Sequence, residues 1–149
     1  MDLTEKIRNI PDFPIQGVLF RDITTLLKDK EGYHTLIDTI AASLRDRRVD
    51  VVVGPEARGF VIGSALAYAL NAGFVLARKP GKLPCDTIRH EYGLEYGTDV
   101  LEIHKDAIQP GQNAVIVDDL LATGGTALAT IRLVEQAGGN VVGVRFAIE

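Results

Sequence analysis

One cysteine, Cys85, is all that the chain of 149 residues contains. An intrachain disulfide is therefore excluded, and a reducing, cytoplasmic setting suits such a sequence. Cations are also short: 16 Lys and Arg stand against 20 Asp and Glu, for a net charge of −4. General nucleic-acid binding fits poorly, because it depends on excess cations that displace counterions from phosphates. An anionic ligand must instead be held by a local cluster of positive side chains, against the sign of the average field. The first ten residues lack the apolar stretch of a secretion signal. One uncharged run, residues 59–77, is long enough to span a bilayer. Gly59, Gly63, Ser64, Asn71 and Gly73 interrupt it, and it divides better into a helix, a turn and a buried strand. No membrane segment is expected. Solenoid-type repeats and low-complexity segments are absent as well.

What is present reads as one globular domain with its own core, at 46% hydrophobic and 24% charged residues. Two segments have the form strand, loop, helix, strand. The first places a strand at 49–53, a loop at 54–56, a helix to about Leu70 and a strand at 74–77. The second places a strand at 114–117, a loop at 118–125, a helix at 126–137 and a strand at 141–147. The apolar runs VVV and AVIV are short and β-branched, as strands buried on both faces should be. Ala127, Ile131 and Val134 share a helical face, and Gly138 with Gly139 supplies a left-handed stop. Two such units imply an α/β fold, a parallel twisted sheet flanked by helices. Upstream, Tyr33, Leu36, Ile37, Ile40 and Leu44 define an amphipathic helix. The opening, with Pro11, Asp12, Phe13, Pro14 and Gly17, is expected to be irregular. Residues 79–105 are polar, charged and long, with flanks that suit a β-hairpin and a middle that suits a mobile segment.

The strongest chemical signal runs from Val115 to Thr126. A buried strand ends in Asp118 and Asp119, a loop of small residues follows, and a helix begins. Backbone N–H groups of Ala122, Thr123, Gly124, Gly125 and Thr126 can wrap a terminal phosphate at the helix N-terminus. The glycines permit close approach, and the threonine hydroxyls add donors. Asp118 and Asp119 can accept hydrogen bonds from sugar hydroxyls, and such charge-assisted bonds are the stronger ones. The loop is not a P-loop, because no Gly-Lys-Ser or Gly-Lys-Thr follows the glycines. His34, His90 and His104 show no metal-ligand spacing.

The run VDDLLATGGT at 117–126 resembles the phosphoribosyl pyrophosphate (PRPP) signature of type I phosphoribosyltransferases, in its adenine-specific form. The resemblance extends along the chain through PDFP at 11–14, GVLFRDIT at 17–24, EARGF at 56–60, RKPGKLP at 78–84, LEYG at 94–97 and LEIHKD at 101–106, all in the expected order. It implies a small N-terminal hood, a hairpin lid, and transfer of the phosphoribosyl group of PRPP to N9 of adenine, giving AMP and pyrophosphate. It further implies Mg²⁺ carried by PRPP without direct protein ligands, a homodimer, and neither nucleic-acid nor membrane partners. By the same resemblance Asp118 and Asp119 hold the ribose, and residues 122–126 the 5′-phosphate. Arg58, Arg78, Lys79 and Lys82 grip pyrophosphate, an arginine fork being well suited to oxyanions. Leu19, Phe20 and Arg21 match the adenine pocket, although Phe20 reads equally well as core. Glu95 matches the acid/base group at the lid tip, with Tyr96 helping to close the lid. Glu102, His104 and Asp106 keep no assigned role. Pro55 stands where this family more often carries an aliphatic residue, and the chain is expected to stop short of the family's C-terminal segment. Two alternatives remain open: another purine as acceptor, or a non-catalytic PRPP- or nucleotide-binding regulator. Residues 19–21 and 94–97 favour adenine, and the missing basic excess disfavours a nucleic-acid-binding regulator.

Overall fold

The computed structural model describes residues 2–94, 97–120 and 125–148. The chain divides into two compact units, Met1–Thr39 and Ile40–Glu149.

The first unit begins with a 3₁₀ turn, Leu3–Lys6, followed by strands β1 (Arg8–Pro11) and β2 (Leu19–Asp22) and a short helix α1 (Thr24–Leu27). β1 and β2 pair antiparallel, with Arg8 opposite Asp22 and Pro11 opposite Leu19. The stretch expected to be irregular holds no strand from Asp12 to Gly17; the strands lie on either side of it. The turn chemistry of residues 11–17 is real, but it serves to join two short strands. The hairpin is fastened at its open end. Arg8 Nε and Nη2 lie 3.0 and 2.5 Å from Asp22 Oδ2, and Asp22 also accepts the Thr24 N–H at 2.9 Å. The Thr24 N–H and the Arg8 guanidinium together hold the Asp22 carboxyl down at about 2. Helix α2 (Lys30–Ala42), which runs from the first unit into the second, buries Leu36, Ile37 and Ile40 of the expected stripe, together with Ala41; Tyr33 is half-buried, and Leu44 is buried in the turn beyond the helix end.

The second unit holds β3 (Val51–Pro55), α3 (Arg58–Leu70), β4 (Gly73–Ala77), β5 (Thr87–Leu94), β6 (Gly97–His104), β7 (Asn113–Leu120), α4 (Gly125–Gln136) and β8 (Asn140–Ile148). Four strands form one parallel sheet in the order β4-β3-β7-β8. The connections β3–α3–β4 and β7–α4–β8 are the two units read from the sequence, and Gly138, at φ +92°, provides the turn after α4. Strand alternation sends Val51, Val53, Val75, Ala77, Ala114 and Ile116 to one face, where they pack with Ala129, Leu133 and Val134 of α4 and Leu101 and Ile103 of β6. α3 covers the other face so closely that a Cβ on Gly63 would lie 2.5 Å from the Phe74 ring and 3.2 Å from Val117. Fully burying a Leu or Ile on these faces is worth about 2 kcal/mol.

One departure from the expected boundaries matters for the site. β7 continues through Asp118 and Asp119 to Leu120, because Asp118 pairs with Phe146 and Leu120 with Ile148. The acidic pair therefore stands on a strand held by a neighbour, not on a loop. The long excursion folds its flanks into an antiparallel hairpin, β5–β6, from Thr87↔His104 to Leu94↔Gly97.

Candidate active site

β3, β7 and the start of α3 meet at the carboxyl ends of the parallel strands, where open α/β sheets form their binding crevices. The approach is close: a Cβ on Gly59 would lie 2.9 Å from Pro55 Cδ and 3.3 Å from Asp118 Oδ1. Pro55 is accommodated because β3 leaves its partner β7 after Val53, so no ladder bond is lost on the side that lacks an N–H. This convergence brings together three of the residues singled out by sequence. Arg58 Nε sits 2.8 Å from Asp119 Oδ2, and the Asp119 side chain is only 7% exposed. Asp118 accepts the Asp119 N–H at 2.8 Å. Burial pushes the Asp118 carboxyl up to about 7, and the adjacent Asp119 carboxylate adds to the rise, while the Asp119 N–H and Arg58 work against it.

The other expected pyrophosphate ligands form a second cluster around Glu56, a residue with no expected role. Glu56 Oε1 accepts the Lys79 N–H at 2.7 Å and lies 3.3 Å from Arg78 Nε, and Glu56 Oε2 lies 3.5 Å from Lys82 Nζ. Burial opposes ionisation of Glu56, but the Lys79 amide and the charges of Lys82 and Arg78 outweigh it and hold the carboxyl below its ordinary range. Arg78 also lies over the Phe60 ring, 5.7 Å from its centroid. Lys79 Nζ pairs with Asp99 Oδ2 at 2.6 Å, which lowers the Asp99 carboxyl and raises the Lys79 ammonium.

Glu102 is tied to the same segment from the far side. It is buried, exchanges backbone hydrogen bonds with Arg78 at 2.9 and 2.7 Å, and accepts the Gly81 N–H at 3.3 Å and the Thr87 hydroxyl at 3.1 Å. Its place in LEIHKD carried no such signal, since its partners lie more than a dozen residues upstream. His104 ends β6 opposite Thr87, and Asp106 is exposed in the turn that follows.

Leu19, Phe20 and Arg21 lie on β2 in the first unit. Leu19 is 53% exposed, Arg21 is exposed, and Phe20 is half-buried edge-on to Phe13 at 5.1 Å. Gly125 and Thr126 open α4. Glu95, Tyr96, Ala122, Thr123 and Gly124 lie outside the described residues.

Arg58 beside two strand-end aspartates, in a βαβ crevice whose next helix is opened by Gly125 and Thr126, is an arrangement that can take both anionic groups and hydroxyls. The sequence model of the phosphoribosyl transferase domain matches residues 23–148, and the chain belongs to that family. Within it, the chain is 60% identical over 149 residues to the adenine phosphoribosyltransferase of Alkaliphilus metalliredigens, covering 100% of this chain and 88% of the relative. It is 61% identical to that of Clostridium perfringens, over 100% of this chain and 87% of the relative. Among solved structures, adenine phosphoribosyltransferase from Thermoanaerobacter pseudethanolicus superposes with a TM-score of 0.94 at 55% identity, covering 97% of this chain and 84% of that one. The Saccharomyces cerevisiae enzyme, complexed with an imino-altritol bisphosphate and adenine, gives 0.95 at 41% identity, covering 99% and 86%.

Proposed function

We propose that the chain transfers the 5-phosphoribosyl group of PRPP to N9 of adenine, releasing AMP and pyrophosphate. The observation that carries this reading is the convergence of Arg58, Asp118 and Asp119 at the carboxyl end of the sheet, together with a cluster of three further cations, Arg78, Lys79 and Lys82, that the acidic average charge does not explain.

The reaction makes distinct demands. Pyrophosphate leaves C1′ as the purine nitrogen arrives, and the ribose becomes oxocarbenium-like, as in glycoside chemistry. Asp118 and Asp119 take the ribose hydroxyls and supply negative charge near the cationic sugar. The 5′-phosphate sits on the backbone of residues 122–126. Arg58, Arg78, Lys79 and Lys82 take the leaving group. Leu19, Phe20 and Arg21 hold the base by stacking and backbone hydrogen bonds. Glu95 exchanges a proton with the purine, and the β5–β6 hairpin, with Tyr96, excludes water, because hydrolysis of the donor is the competing reaction.

The acidic groups near the cations, Glu56, Asp99 and Glu102, already have cationic or N–H partners. That donor set suits a Mg²⁺ that arrives on the oxygens of PRPP, where it neutralises pyrophosphate charge. A homodimer belongs to the same reading, and exposed apolar Val61, Tyr68 and Leu76 are surface of the kind an interface uses. A cytoplasmic location is supported by the lone, exposed thiol of Cys85. Among the described residues no helix is long and apolar enough to cross a membrane.

AMP formation by the purified protein from adenine, PRPP and Mg²⁺ tests the reading, with guanine and hypoxanthine as competing acceptors. Absence of AMP rejects it, and a preference for an oxopurine moves the acceptor within the same fold.

A further inference from the structure

Glu56 is fixed before its side chain does anything. Its N–H donates to the Ala77 carbonyl at 3.0 Å, carrying the β3–β4 ladder one step past the Pro55↔Ala77 pair. From that anchored backbone a side chain only 15% exposed reaches across to three consecutive features of residues 78–82. It takes Arg78 at Nε, Lys79 at its amide and Lys82 at Nζ. We propose that Glu56 is a positioning residue for the transfer reaction, holding residues 78–82 in the conformation that presents Arg78, Lys79 and Lys82 to pyrophosphate. This rests on the assignment of those cations to the leaving group.

A carboxylate among phosphate-binding cations could instead mask them, and its removal would then tighten anion binding. The geometry favours positioning. The shortest bond that Glu56 makes is to a backbone amide, at 2.7 Å, whereas the Arg78 and Lys82 contacts are 3.3 and 3.5 Å. The Arg78 guanidinium is engaged at its Nε edge, so among the described residues its terminal nitrogens keep their donors for an oxyanion. The Lys82 side chain is 50% exposed, and a lysine carries large rotamer entropy that pre-ordering spares at the moment of binding.

Two variants separate the cases. Glu56→Gln retains an oxygen for the Lys79 amide and removes the charge; Glu56→Ala removes both. Magnesium pyrophosphate is titrated calorimetrically into the wild type and each variant, and KM for PRPP and for adenine are measured separately. Positioning predicts that pyrophosphate affinity and PRPP KM worsen roughly three- to tenfold in Glu56→Gln and about thirtyfold in Glu56→Ala, with adenine KM within about twofold. Unchanged or tighter pyrophosphate binding in both variants overturns the proposal, as does an equal loss towards PRPP and adenine accompanied by a lower Tm. Should Glu56→Ala fail to fold, the Glu56→Gln comparison alone decides. A wild type that binds no magnesium pyrophosphate rejects the underlying cation assignment before any variant is compared, which keeps the two failures apart.

Discussion

Asp118 is the residue whose surroundings most alter its ordinary chemistry, since burial and the neighbouring carboxylate lift it to about 7 while Asp119 keeps its partner Arg58. The sign follows from linkage. The folded protein binds a proton at Asp118 that the unfolded chain has released once the pH passes the ordinary carboxylate range. Stability therefore falls as pH rises from about 4 to about 7. Groups held low, such as Asp22, Glu56 and Asp99, act in the opposite sense but only in more acid solution. Thermal unfolding followed between pH 5 and 8 should show Tm declining to about pH 7 and levelling above it, and Asp118→Asn should flatten the decline. An unchanged slope in the variant would remove Asp118 as its source. The same variant should raise PRPP KM about tenfold, the scale of one charge-assisted hydrogen bond, with adenine KM little affected. Glu95→Ala belongs to a different step. If Glu95 exchanges the purine proton, kcat should fall about a hundredfold while both KM values stay within a few-fold. Equal losses in kcat and in substrate binding would count against that chemical role.

At the scale of elements, residues 78–82 are held from two sides, by Glu56 at the end of β3 and by Glu102 on β6. Glu102→Ala should leave the Gly81 N–H and the Thr87 hydroxyl without their acceptor. Gly81 is exposed and Thr87 half-buried, so water can replace the lost acceptor and the effect is on local order more than on global stability. Hydrogen exchange is the direct measurement: the Gly81 amide should exchange faster in the variant while the β7 amides keep their protection. Faster exchange throughout β7 would mean that Glu102 supports the core rather than this segment. These clamps mark the boundary of what the sequence displays. The βαβ units, the α2 stripe and the glycine stop after α4 are local patterns of spacing, and the fold follows them. Arg58, Asp118 and Asp119 were legible because each stands beside a strand end within a short motif. The β1–β2 hairpin was hidden by turn residues that dominate its composition, and β7 reached Leu120 because β8 supplies partners that the strand's own sequence does not reveal. Glu56 could not be read locally, since it meets Arg78, Lys79 and Lys82 only after β4 has returned alongside β3.

For the molecule as a whole, the charge balance sets the terms on which a substrate enters. PRPP is strongly anionic and the chain carries a net −4, so under the proposed function encounter is unfavourable unless local cations, or a metal that PRPP carries, reverse the sign. Arg58 is paired with Asp119, Lys79 with Asp99, and Arg78 and Lys82 with Glu56, so the cations are already partly compensated within the protein. Metal-free PRPP would have to compete with those carboxylates at close range, whereas a magnesium complex presents less charge to be neutralised. Ligand binding to the folded state alone raises stability by about 2.7 kcal/mol at a hundred times Kd. For a chain of this size that corresponds to a Tm increase of about 5–10 °C. PRPP with Mg²⁺ should therefore raise Tm by that amount, and chelation with EDTA at the same PRPP concentration should abolish most of the increase. Added salt should reduce it further, because these cations are between 30% and 53% exposed and open to screening. An equal shift with and without the metal would show that the protein's own cations suffice, and Mg²⁺ would then have to act in the chemical step instead of in binding.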